Sequence, residues 1–173
     1  MTMRLTALEP EDLELLYTIE NNRSQWCVSN ANVPYSRYAL RDYIANQNYD
    51  IYADKQVRLV VRVGEEGCKP SEMKAIGLAD LFDFSPEHLR AEVGIAITAA
   101  ETGKGYGEEA MRQLTDYAAE VLHLHTVYAV VPVDNKPSVA MLRACGFSEE
   151  YVLKGWLRSD CGWKDALFMQ KML

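Results

Sequence analysis

The sequence predicts a single α/β domain built around a mixed sheet, spanning residues 1–173. Three observations carry this reading. The chain has 173 residues, the size of one domain. Stretches of alternating apolar and polar residues interleave with stretches of helical spacing, in the order β-α-α-β-β-β-α-β-α-β-β. One stretch, "TVYAVVPV" (126–133), is almost continuously apolar, as expected of a central strand covered on both faces.

Each element has its own warrant. "MRLTALE" (3–9) reads as a short strand that Pro10 stops. "PEDLELLYTIENN" then places Leu13, Leu16, Tyr17 and Ile19 at helical spacing behind an acidic first turn, which the helix dipole favours. Residues 22–36 form a polar loop holding Trp26, and 36–47 a second helix with Ser36 as its cap. In "QVRLVVRV" (56–63), Val57, Leu59, Val61 and Val63 alternate with Arg58 and Arg62, which predicts a strand with one solvated face. After a turn at 64–72, "KAIGLADLFDF" (74–84) and "LRAEVGIAI" (89–97) make two strands joined by "SPEH". A helix over about 105–122 carries a stripe of Tyr106, Ala110, Leu114, Tyr117, Ala118 and Val121. The apolar strand at 126–133 frays at Pro132. Asn135 caps a helix that Gly146 ends. "EEYVLKGWLRSD" and "GWKDALFMQKM" close the chain as a hairpin around Cys161-Gly162.

Composition narrows the function classes. The chain is 49% hydrophobic and 25% charged, with a formal net charge of -7. That balance excludes broad nucleic-acid binding, which needs a basic footprint, and is compatible with a cationic small substrate. Cys27, Cys68, Cys145 and Cys161 form no Cys-x-x-Cys pair and read as reduced thiols of a cytoplasmic protein. The first sixteen residues are too charged for a signal peptide, and no stretch approaches the ~20 apolar residues of a membrane span. His88, His123 and His125 supply one His-x-His pair, and no metal site is expected.

"TGKGYG" holds Gly103, Gly105 and Gly107 where a helix begins. A P-loop fails here, because Gly105 follows Lys104 and Thr98 stands where the leading glycine belongs. A dinucleotide fingerprint fails too, because the spacing is Gly-x-Gly-x-Gly. The physics of the loop remains. Glycines let backbone N–H groups approach an anion, and a helix start adds free N–H groups and a positive dipole end. Glycines at a tight strand-to-helix turn explain the composition equally well. The preceding strand adds a clue: Val93, Ile95 and Ile97 face one way, and Glu92, Gly94 and Ala96 face the other. The second face is small, with one carboxylate, and leaves room for a ligand along the strand.

"AEVGIAITAAETGKGYGEEAMRQLTDYA" followed by "VYAVVPVDNKPSVAMLRACGF" resembles the GNAT acetyltransferases, within the branch of ribosomal-protein N-terminal and spermidine N-acetyltransferases. The match extends from "MRLTALEPEDLELLYTIENN" to the Gly-x-x-Asp of "GWKDALFMQKM". The resemblance implies the acyl-CoA N-acyltransferase fold, with a mostly antiparallel central sheet, and acetyl-CoA as cosubstrate. The backbone of Ile95, Ala96 and Ile97 would pair with the pantetheine arm. Backbone amides of Thr102, Gly103, Lys104, Gly105, Tyr106, Gly107 and Glu108 would cradle the pyrophosphate. Asn135 would bond the pantetheine side, and Ser138 or Arg143 would reach the CoA end. Two positions depart from the family: Thr102 replaces the usual Gln or Arg, and Leu142 replaces the tyrosine that serves the spermidine branch as acid.

Acetyl transfer to an amine needs a base to free the nitrogen lone pair and a donor to steady the oxyanion. Glu92 is the candidate base; its alternative is a carboxylate paired with an arginine or capping the sheet edge. Tyr106 and Tyr128 read as packing aromatics, and Cys145 as a small buried hydrophobe. Glu11, Asp12, Glu14, Glu20 and Asp42 lie on the helices that the resemblance implies form the acceptor side, where they would greet a cationic amine or be simply solvated. The expected acceptor is a primary amine, on a protein N-terminus or on a polyamine. The alternative is a CoA-binding module without catalysis. The resemblance is compatible with a homo-oligomer.

Overall fold

The computed structural model describes residues 1–23, 33–159 and 162–173. Trp26 and Cys27 of the expected loop, and Cys161 of the expected hairpin turn, lie outside them. Seven strands form one sheet in the order β1-β2-β3-β4-β5-β7-β6. They are β1 (Thr2–Ala7), β2 (Val57–Gly64), β3 (Lys74–Ser85), β4 (Arg90–Ile97), β5 (Thr126–Pro132), β6 (Ser148–Ser159) and β7 (Gly162–Met172). Every neighbouring pair is antiparallel except β4 and β5. A parallel pair needs a crossover, and α4 (Tyr106–Glu120) supplies it.

Helices cover both faces. On one side α4 and α5 (Lys136–Ala144) seal a core that includes Ile76, Leu81, Val93, Met111, Leu114, Val127 and Leu142. On the other, α1 (Leu13–Glu20) and α2 (Arg37–Ala45) close a smaller core of Leu16, Ile19, Leu40, Ile44, Val60 and Leu78. Ser36 caps α2 by accepting from the Ala39 N–H, as its sequence position predicts. The stripe expected on α4 needs one change: Val121 is exposed, and Met111 is buried in its stead. A one-turn helix, α3 (Ile51–Asp54), precedes β2 and has no counterpart in the sequence reading. Four residues are too few to show a period. No helix among the described residues is long and apolar enough to cross a membrane.

The arginine face of β2 is not solvated, contrary to expectation. Val60 on that face is fully buried, and Arg62 is 9% exposed beneath the start of α1. Its Nη2 donates to both carboxylate oxygens of Asp12, at 2.7 and 2.6 Å, and its Nε donates to Thr6 at 2.9 Å. Arg58 donates to Asp80 from two nitrogens, at 2.9 and 3.0 Å, and to Glu20 at 2.6 Å. Both guanidiniums are accommodated because carboxylates from β3, from α1 and from the turn that leads into α1 meet them.

Candidate active site

The sheet splits where its one parallel pair fails. β4 and β5 pair only through Arg90–Thr126, Ala91–Val127 and Glu92–Tyr128. Beyond these, β4 continues from Val93 to Ile97 against β3 alone, and β5 continues against β7. Among the described residues, the edge of β4 that faces β5 therefore has no strand partner along Ile95, Ala96 and Ile97. Backbone N–H and C=O groups in such a position demand partners. An extended amide-bearing chain meets that demand.

Glu92 sits at the fork. It opposes Phe82 on β3 and Tyr128 on β5, and it shares its face with Gly94 and Ala96, as the alternation predicts. Burial raises its pKa, a hydrogen bond from the Val130 backbone N–H lowers it, and the nearby Asp83 raises it, leaving it at about 7. Among the described residues no arginine forms an ion pair with Glu92. A carboxyl half ionised at neutral pH, within a split sheet, is suited to take up and release a proton. A Cβ on Gly94 would come within 3.2 Å of the Phe82 ring, so this strand position needs a small residue beside the ring.

Tyr128 does more than pack. It stacks on Phe168, with centroids 5.2 Å apart, and its hydroxyl donates to Asp83. Asp83 occupies the left-handed region at φ 51°, where the β3–β4 register shifts. Burial and this carboxylate push the phenol well above its ordinary range, which keeps it protonated. Sequence periodicity places Tyr128 on β5 but is blind to Asp83, whose reach depends on the register shift.

The glycine loop follows β4 directly. Gly103 (φ 81°) and Gly105 (φ 82°) are left-handed, and a Cβ at either would meet nothing within 4 Å. Gly105 is the N-cap of α4 and offers it no side-chain cap, so the N–H groups of the first turn face outward without one. Gly107 has a different cause. It lies inside α4, and a Cβ there would come within 3.2 Å of Met141 Sδ on α5. Two glycines thus shape an open cradle, and the third lets two helices approach. Tyr106 is half-buried against the core, and the Glu108 carboxylate pairs with Arg112 at 2.5 Å. Thr102 turns its hydroxyl back to the Thr98 carbonyl at 3.2 Å. Lys104 pairs with Glu101 at 2.8 Å.

The other expected ligands lie on α5. Asn135 caps that helix by accepting from the Ser138 N–H at 3.3 Å, so both residues stand at its N-terminus. Arg143 is at the far end, exposed and paired with Glu149. Leu142 is 2% exposed and belongs to the core. Of the carboxylates expected to greet an amine, three have arginine partners: Asp12 with Arg62, Glu14 with Arg37 and Glu20 with Arg58. Glu11 and Asp42 are exposed. An open concavity of about 360 Å³ lies elsewhere, lined by Arg4, Thr6, Leu59, Gln113 and Tyr117 near β1, away from the fork.

Comparison with known proteins gives concordant results. Residues 2–148 match the family model described as an acetyltransferase (GNAT) domain. The spermidine N(1)-acetyltransferase of Vibrio cholerae is 30% identical over 151 residues, covering 86% of this chain and 80% of its own length. A crystal structure of spermidine N-acetyltransferase from that organism, in complex with CoA and spermine, superposes with a TM-score of 0.83. It is 28% identical, and the match covers 98% of this chain and 95% of that one. A dodecameric structure of spermidine N-acetyltransferase from Vibrio cholerae gives a TM-score of 0.78 at 29% identity, covering 98% of this chain and 93% of the other.

Proposed function

The chain belongs to the acetyltransferase (GNAT) family, and we propose that it moves the acetyl group of acetyl-CoA to a primary amine of a polyamine, with Glu92 as the base. The observation that carries the proposal is the fork between β4 and β5. It joins a partnerless strand edge, a carboxyl with a pKa of about 7, and an open loop of left-handed glycines.

In this reading the thioester of acetyl-CoA supplies the acetyl group, and the chain holds and orients it. The edge at Ile95, Ala96 and Ile97 pairs with the amides of the pantetheine arm. Backbone N–H groups from Thr102 to Glu108 hold the pyrophosphate. Asn135 and Ser138 flank the pantetheine from the start of α5, and Arg143, tied to Glu149, serves the outer end of the donor. Glu92 takes a proton from the ammonium, whose pKa is about 10 in free solution, and the nitrogen then attacks the thioester carbonyl. Holding the two reactants together supplies much of the acceleration. Leu142 gives no proton to the departing sulfur, so that proton comes from the nitrogen or from water.

Two observations support a polyamine over a protein N-terminus. The relatives named above act on spermidine or were crystallised with spermine. The net charge of -7 also favours encounter with a polycation. We extend the proposal to assembly of several copies, on the strength of the dodecameric neighbour. Thiol release from acetyl-CoA, measured with spermidine, spermine and short peptides bearing free N-termini, tests the acceptor. Turnover with peptides and none with polyamines would reject it.

Gly105→Ala tests the donor loop. A left-handed residue with a Cβ is strained by roughly 1–2 kcal/mol, and relief of that strain moves the N–H groups of the cradle. The KM for acetyl-CoA is expected to rise about tenfold, in line with that energy, with kcat little changed. An unaltered KM would remove the loop from the donor site.

A further inference from the structure

We propose that Glu101 is a positioning residue for the donor loop: its carboxylate staples Lys104 to Lys74 and so holds the backbone N–H groups of residues 102–105 ready for the pyrophosphate. This rests on the reading of that loop as the donor site.

Four facts converge. Glu101 ends a one-turn 3-10 segment, Ala99–Glu101, between β4 and the cradle, and it is 8% exposed. One carboxylate oxygen accepts from Lys104 Nζ at 2.8 Å and the other from Lys74 Nζ at 2.7 Å. Lys74 is the first residue of β3, so the bridge ties the cradle to the sheet. Both lysines hold the carboxyl down at about 2, so the bridge is ionised at every working pH.

The bridge answers two questions the loop raises. The first is why a carboxylate stands beside a site for an anion. Two lysines outweigh it, leaving the cluster with one net positive charge. The second is how the cradle keeps its shape when Thr102 bonds back to Thr98 and two glycines follow it. Glycines widen the conformational range of a free loop, and a cradle serves only when its N–H groups are already aligned. Glu101 supplies the constraint from below. Lys104 is therefore a strut, with its ammonium committed to Glu101, and the backbone meets the phosphates.

The test compares Glu101→Gln, Lys104→Ala and the double variant by steady-state kinetics. Each single change is expected to raise the KM for acetyl-CoA about fivefold to tenfold, the loss of about one charge-assisted hydrogen bond. The double variant should be no worse than either single one, because both remove the same strut. The KM for the amine and kcat should stay near wild type, and Lys104→Ala, at an exposed lysine, should leave the melting temperature close to it, which a general structural defect would not allow. Lys74→Ala, at an exposed lysine, repeats the test if Glu101→Gln folds poorly. If Lys104 touches phosphate directly, Glu101→Gln should lower the KM and Lys104→Ala raise it; that result overturns the proposal. So does an unchanged KM in both single variants. Gly105→Ala separates the two levels: if it raises the KM while Glu101→Gln does not, the donor loop stands and the staple falls. If none of the variants moves the KM, the donor-loop reading itself fails.

Discussion

Glu92→Gln is expected to lower kcat by about two to three orders of magnitude, the usual scale for loss of a positioned base, while the KM for acetyl-CoA stays within about twofold. Gln is nearly isosteric and can still accept from the Val130 N–H, so the fork should keep its shape. The pH dependence makes the test specific. With a carboxyl at about 7, wild-type kcat at saturating amine should climb through pH 6–7 and level off above pH 8. The variant should lose that bend and keep a shallow, hydroxide-like rise. Full activity in the variant, or a bend near pH 7 that persists in it, would remove Glu92 from the mechanism.

The same substitution should stabilise the fold, and here the sign matters. The folded-state pKa of about 7 lies above the ordinary 4.5. Between those values the folded protein binds more protons than the unfolded one, so stability falls as pH rises across that window. Above pH 7 the penalty remains, roughly 2–3 kcal/mol once screening by water at this partly exposed group is allowed for. Gln carries no such charge. The melting temperature of Glu92→Gln should exceed wild type by about 4–12 °C at pH 8, on the scale of 2–4 °C per kcal/mol for this size, and match it at pH 4. A gain independent of pH would mean the group is not buried as a titrating carboxyl. Strain of this kind is what a catalytic site retains against stability.

Local patterns made most of the scaffold legible. The alternation at 57–63, the cap at Ser36, the continuous apolar run at 126–133 and the Gly146 stop all act within a few residues, and the strands and helices fall where they point. The place of Glu92 beside Gly94 and Ala96 was legible from the two-residue period of β4. What was not legible depends on partners distant in sequence. Arg58 meets Asp80 and Glu20 across separations of 22 and 38 residues, so a polar face looked solvated when it was covered and neutralised. Gly107 looked like one of three equivalent loop glycines, yet its cause is Met141 on another helix. In the sequence Glu101 is one carboxylate in a turn, and its role depends on Lys74, which reaches it across 27 residues.

The buried pair of Asp12 and Arg62 should dominate stability. Asp12→Ala is expected to destabilise the fold by about 3–5 kcal/mol, the range for removing one partner of a buried ion pair. The side chain of Asp12 is 2% exposed and that of Arg62 11%, so water reaches neither freely. Removing the carboxylate leaves a guanidinium stranded under α1, with Thr6 as its remaining side-chain partner. It also frees the Glu9 N–H, which Asp12 accepts at 3.0 Å at the entry to α1. Both losses fall on the helix that closes the smaller core over β2 and β3. Denaturant unfolding should show the loss directly. Asp12→Leu combined with Arg62→Met should recover most of it, because desolvation of two charges is then removed together. If Asp12→Ala alone shifts stability by less than about 1 kcal/mol, the value of an exposed pair, the arginine is reaching water and the covered face of β2 is open. The double variant should also retain acetyl transfer, since neither residue approaches the fork. That retention would separate what holds the fold from what performs the chemistry.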